Sequence, residues 1–190
     1  GRQIMKASHP IIYPENMTLS QNGLQYTSLL QPMEFEYKPW GHYYIISLFG
    51  SPWFAGYDSI LDGKNSSRSL FENKSLNQIL LDIELVGNLS EGNYSLEDGY
   101  EMQIGDISNG SLSFRLFNDG ELVDSSVVIS NMTYEFRKDL ENVKDKPILM
   151  IHFGNIFYNG THNLAAIDGI FQISDSEYPL ELGSVFGKLE

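Results

Sequence analysis

The sequence contains no cysteine. Disulfides, thiolate nucleophiles, zinc–cysteine sites and iron–sulfur clusters are excluded together. Basic residues are scarce: 12 Lys and Arg stand against 25 Asp and Glu, a formal net charge of −13. A surface that acidic repels nucleic-acid phosphates and disfavours anionic lipid, which leaves no role for nucleic acid as a partner. No apolar run approaches the roughly 18 residues that span a bilayer. The longest runs, such as Tyr43–Phe49, are strand-sized, so no transmembrane segment is expected in this chain. No secretory leader is visible at Gly1, which reads as a chain either intracellular or already processed. The common catalytic frames are missing too. There is no Gly-x-Ser-x-Gly elbow, since Gly50-Ser51 runs into Pro52, and no phosphate loop, dinucleotide fingerprint or His-Glu-x-x-His. No enzymatic activity, catalytic residue or cofactor is expected.

Asparagine is what the chain has in a telling pattern. Asn-x-Ser/Thr occurs at Asn16, Asn65, Asn73, Asn88, Asn93, Asn109, Asn131 and Asn159, eight of the 14 asparagines. Random placement of the serines and threonines would give roughly two such sites. The excess points to N-glycosylation of those eight residues, hence to an exported, extracellular protein. The bland alternative is that polar turns are simply rich in Asn and Ser. Small secreted animal domains usually lean on disulfides. A glycosylated, exported chain without cysteine fits an archaeal cell surface better.

The hydrophobic period is two almost throughout. Met33–Lys38 alternates Met33, Phe35 and Tyr37 against Glu34, Glu36 and Lys38, the pattern of a half-buried strand. Tyr100–Ile104, Leu112–Leu116 and Thr133–Lys138 repeat it. Ile148–Phe153 is apolar without a break and reads as a strand buried on both faces. Ile167, Gly169, Phe171 and Ile173 share one face of another strand. Asn109-Gly110 and Asn118-Asp119-Gly120 suit tight hairpins, because both central positions of a type I′ turn need positive φ. Leu70–Leu81 is expected to form one short helical turn at most. The fold class that follows is all-β, two linked antiparallel subdomains of which the first is a small β-sandwich or sheet and the second a β-sandwich. The polar stretch Asp62–Asn77 places the boundary between residues 1–77 and 78–190.

Three groups are candidate sites. Nine of the 24 aromatic residues lie in Glu34–Tyr57, so Trp40, Trp53 and Tyr57 could form a sugar-stacking platform. Alternation with aliphatics favours a core role for them. Of the histidines His9, His42, His152 and His162, the last two could meet across strands and hold a metal. Ordinary strand histidines are the commoner outcome, and no metal site is assigned. Asn118-Asp119-Gly120 is the nearest match to a calcium loop, but it lacks the remaining ligands. The 25 carboxylates contain no local motif that selects a glycosidase pair.

Six segments together resemble the S-layer family duplication domain of methanogenic archaea, the Methanosarcina-type surface-layer protein. They are Pro39–Tyr57, Gly99–Ile107, Asp119–Val128, Pro147–Phe157, Ile167–Asp175 and Gly183–Glu190. The resemblance implies two linked β-sandwich subdomains without an active site, tiled into a glycosylated acidic coat outside the membrane. It implies other S-layer subunits or domains and N-linked glycans as partners. A tandem copy, a Ser/Thr-rich stalk and a membrane anchor would then lie elsewhere in the full-length protein. The alternative is a carbohydrate- or ligand-binding β-sandwich module of a larger surface protein.

Overall fold

Alternating residues with β-branched and aromatic side chains, cut at short intervals by Asn, Asp and Gly, leave the chain little option but antiparallel pairing. The computed structural model describes residues 4–7, 24–27, 29–48, 50–58, 75–108, 110–141, 143–158 and 162–179. Among the described residues thirteen strands run in order: β1 Ile4–Ala7, β2 Leu24–Thr27, β3 Gln31–Glu34, β4 His42–Leu48, β5 Ser51–Tyr57, β6 Ser75–Leu89, β7 Gly92–Ser95, β8 Tyr100–Ser108, β9 Ser111–Asn118, β10 Glu121–Ile129, β11 Met132–Lys138, β12 Lys146–Tyr158 and β13 Asn163–Pro179. One 3-10 turn, η1 Lys38–Trp40, interrupts them. The protein is all-β, and every strand pair is antiparallel.

The strands form a two-stranded ribbon β1-β2, a four-stranded sheet β10-β9-β8-β7 and a seven-stranded sheet β11-β12-β13-β6-β5-β4-β3. β5 and β6 join through only two register pairs, Trp53↔Gln78 and Phe54↔Asn77. There the seven-stranded sheet folds, and β3, η1 and β4 lie over the face of β11–β13. Phe35 reaches Phe171 with ring centroids 4.8 Å apart, and the Trp40 indole donates to Thr133 Oγ1 at 3.2 Å. The opposite face carries the four-stranded sheet, where Phe114 meets Tyr134 at 4.3 Å and Phe153 at 5.7 Å. β11–β13 are thus the middle of three layers. Ile148, Leu149, Met150, Ile151 and Phe153 are all buried, as a continuous apolar run requires. The boundary expected near residue 77 falls at the start of β6, and strands from either side of it share this one sheet.

The hairpins follow the turn chemistry. Ser108 pairs with Ser111 across Asn109-Gly110, and Gly110 has φ 75°. Asp119 and Gly120 have φ 49° and 82°, the two left-handed positions a type I′ turn needs. Three local expectations change. The strand expected over Met33–Lys38 stops at Glu34, because the Phe35 N–H bonds back to the Gly41 carbonyl at 3.1 Å and η1 starts at Lys38. Met33 is 41% exposed rather than sharing the core with Phe35. Pro52 lies inside β5, and the chain reverses just before it, with Gly50 at φ 92°. From Ser75 onward the expected helical turn is instead the long strand β6; Leu70–Lys74 lie outside the described residues.

Candidate functional site

The aromatic stretch is placed by three elements. Phe35 precedes η1 and Trp40 ends it, while Tyr43 stands on β4 and Phe54 and Tyr57 on β5. Phe35, Tyr43, Phe54 and Tyr57 surround Phe171 of β13 at centroid distances of 4.8, 4.9, 5.8 and 6.0 Å. Trp40 stands edge-on to Phe35 and Tyr37 and is 7% exposed. The Tyr57 hydroxyl donates to the Pro147 carbonyl at 2.8 Å, and its ring lies 5.3 Å from the Lys146 ammonium. The three-ring platform is therefore not built: Trp40 and Tyr57 belong to the core. Trp53 differs. It is half-buried on the other side of the hairpin, packed with Ile46, Ala55 and Leu76, and its ring is 5.4 Å from Tyr178.

The polar groups inside this layer are tied off. Asp82 accepts from the Glu36 N–H at 3.0 Å and from the Tyr43 hydroxyl at 3.1 Å. Burial pushes its pKa up, and the two hydrogen bonds oppose that. Burial and the facing Asp82 also push the Tyr43 hydroxyl up. His152 Nδ1 lies 3.1 Å from Thr133 Oγ1 and Nε2 lies 3.8 Å from Asp168, with the ring stacked on Tyr37 at 4.7 Å. Burial lowers the His152 pKa, with Asp168 pulling the other way. His42 meets Asp58 at 3.0 Å, His162 is exposed, and His9 lies outside the described residues. Among the described residues no three acidic or histidine side chains gather as a metal site. Asn118-Asp119-Gly120 is spent on its hairpin: Asn118 donates to the Asp98 carbonyl at 3.0 Å, and the Asp119 N–H to the Gly99 carbonyl at 2.9 Å.

One polar residue escaped the sequence reading. Gln172 on β13 is buried, and it accepts from the Glu97 N–H at 3.1 Å while donating to the Glu97 carbonyl at 2.9 Å. It clamps the β7–β8 turn of the outer sheet onto the middle one. The only trace it leaves in the sequence is a polar residue inside the apolar run Ile170–Ile173.

Three of the eight Asn-x-Ser/Thr asparagines are described, and all three are exposed: Asn88 on β6, Asn93 on β7 and Asn131 in the β10–β11 turn. Asn16, Asn65, Asn73, Asn109 and Asn159 lie outside the described residues. Asn88 is paired with Ala166, and the Asn131 N–H bonds to Gly154 at 2.9 Å. Both therefore lie toward the end of the middle sheet where β12 turns back into β13. Asn93 accepts from Gln103 Nε2 at 2.9 Å. Asn131 has φ 58°, and the hydroxyl of its Thr133 is already held by Trp40 and His152.

A sequence model of the family described as S-layer protein matches residues 5–190. Among curated proteins, a "Major S-layer protein" of Methanosarcina barkeri (strain Fusaro) is 23% identical over 185 residues, covering 90% of this chain and 26% of that protein. A "Major S-layer protein" of Methanosarcina mazei (strain Goe1) is 20% identical over 196 residues, covering 93% of this chain and 26% of that protein. The chain thus spans about a quarter of the length of the curated relatives it matches.

Proposed function

The chain belongs to the S-layer protein family, and from that premise we propose that it is a rigid, non-enzymatic building domain of a glycosylated, acidic coat. Family membership places it at the cell surface, in an extracellular layer. The observation that carries the reading is the family match across residues 5–190, nearly the whole chain. The three-layer packing supports it. Two long strands buried on both faces and clamped to both outer layers make a stiff unit, which is what a load-bearing tile needs. The −13 charge would bias any pore between tiles toward cations.

In this reading Asn88, Asn93 and Asn131 carry N-linked glycans, as do the five sequons outside the described residues. Sugar transfer at Asn131 precedes folding in this reading, because the half-buried Thr133 hydroxyl is hydrogen-bonded by Trp40 and His152 once η1 closes over β11. Partners are further copies or domains of the same kind. No helix among the described residues is long and apolar enough to cross a membrane.

The test is fractionation of native cells followed by intact-mass measurement of this chain. Recovery in the surface-layer fraction, with glycan mass on several sequons, is expected. Recovery only inside the cell, unmodified, would sink the reading.

A further inference from the structure

The two larger sheets leave four strand edges, and three of them are visibly guarded. β3 is four residues long and contains Pro32. β7 is four residues long and carries the sequon at Asn93. β11 presents Glu135, Arg137 and Lys138, with Arg137 bonded to Glu135 at 2.8 Å. Short length, proline, charge and bulky modification are the usual ways of keeping an edge from pairing. β10 is different. It is nine residues long, contains no proline, glycine or basic residue, and among the described residues pairs as a strand with β9 alone. Among the described residues, what interrupts it is a bulge between Leu122 and Asp124, after which Asp124–Ile129 runs in regular register with β9.

The side chains along β10 are equally unusual for a free surface. Leu122, Val123, Val127 and Ile129 are 56%, 40%, 67% and 56% exposed. Asp124 is the one charged residue from Leu122 to Ile129, and the Tyr134 hydroxyl holds it from the inner side at 2.6 Å. A chain of net charge −13 therefore has a largely apolar, hydrogen-bond-competent strip with a single charge in it.

We propose that the free edge of β10 is a self-association seam, where a second copy of this chain pairs antiparallel and extends the four-stranded sheet across the contact. This deepens the structural-layer reading and rests on it. The charge distribution favours a like chain as occupant. A basic partner would be steered to the acidic surface elsewhere, whereas two acidic copies repel wherever charge is present and can approach only where it is missing. The strip suits itself as well. With a single charge in Leu122–Ile129, two antiparallel copies oppose like charges only in the one register centred on Asp124. Glycans on Asn93 would close the opposite edge of the same sheet, so growth proceeds from β10 alone. A single strand edge falls short of the roughly 1,000 Å² that a stable interface buries. The contact is weak in isolation and accumulates when repeated across an array.

The experiment is sedimentation velocity of the full chain over rising concentration, at low and at moderate salt. A monomer–dimer equilibrium is expected, strengthened by salt because screening removes the repulsion and leaves the apolar seam. Val127→Lys and Ile129→Lys, both at exposed positions, abolish the dimer while circular dichroism shows an intact fold. Met33→Lys on the β3 edge leaves it unchanged. Hydrogen exchange at high concentration slows at the β10 amides. The inference is overturned by a monomer at every concentration, by a dimer that survives both lysines, or by protection appearing on β3 or β7 instead. The two readings fail separately. A chain found in the native surface layer whose β10 variants associate like wild type loses the seam but keeps the structural role. A chain absent from the surface that still dimerises through β10 loses the role but keeps the seam.

Discussion

At Gly169 the covering layer comes very close to the middle one. A Cβ at that position would sit 2.5 Å from Tyr37 Cβ and 2.8 Å from Tyr37 Cγ, closer than real Cβ atoms come. Gly169→Ala must push Tyr37 off His152, so it should cost about 1–3 kcal/mol as an overpacking substitution, read from urea denaturation midpoints. No loss would mean that η1 does not rest on β13 as described. The two tryptophans divide in the same way. Trp40→Ala removes a core ring and a hydrogen bond and should cost about 3–5 kcal/mol. Trp53→Ala, from a small satellite cluster, should cost about half of that or less. Equal losses would contradict the difference in burial. His152 adds a pH dependence. Its folded pKa is lowered from 6.5, mainly by burial, so the folded state prefers the neutral ring. That contribution is complete above pH 6.5 and is lost as the pH falls from there toward the folded value. His152→Gln should flatten the stability–pH curve in that window; an unchanged slope would assign the dependence to other groups.

At the level of elements, the Gln172 clamp tests whether the outer sheet is held by packing alone. Gln172→Leu keeps the volume and deletes both bonds to Glu97. The expected cost is about 1–3 kcal/mol, with faster hydrogen exchange around Glu97–Tyr100 and unchanged exchange in β12. Faster exchange throughout β12 would mean the clamp supports the middle sheet as well. Elements also show where sequence patterns stop being informative. β8 and β9 were legible because period two holds as long as the backbone stays extended, and their hairpin because Asn-Gly has few other uses. Ile148–Phe153 announced burial on both faces by being apolar at every position but His152. Met33 was misplaced because its alternation with Phe35 ends at a 3-10 turn, which the same residues do not advertise. That β3, η1 and β4 fold over β11–β13 depends on contacts more than 90 residues apart, such as Trp40 with Thr133 at a separation of 93. No local pattern encodes those. The sequons were legible because three adjacent residues define each one. The β10 edge was not, because a strand becomes an edge only through the order of its neighbours.

For the molecule as a whole, charge is the quantity that the fold does not resolve. The ion pairs that do form, such as Lys138 with Asp175 at 2.6 Å and Arg137 with Glu135 at 2.8 Å, spend basic residues of which there are only 12. Surface pairs of that kind contribute little individually, and most of the 25 carboxylates must face one another across solvent. Folding brings those charges closer than they are in the extended chain, so self-repulsion opposes the compact state. Raising ionic strength shortens the screening length from about 30 Å at 0.01 M to about 8 Å at 0.15 M, below the spacing of most surface charges. The unfolding temperature should therefore climb over that range and then level off, with the largest rise at the low-salt end. The protein must be dilute enough to stay monomeric, since dimerisation through β10 would also raise it and would betray itself by a dependence on protein concentration. A salt-independent midpoint would mean that the acidic side chains are paired more fully than the ion pairs of the structure suggest, and that a coat built from this domain presents a weaker field to passing ions than its net charge implies.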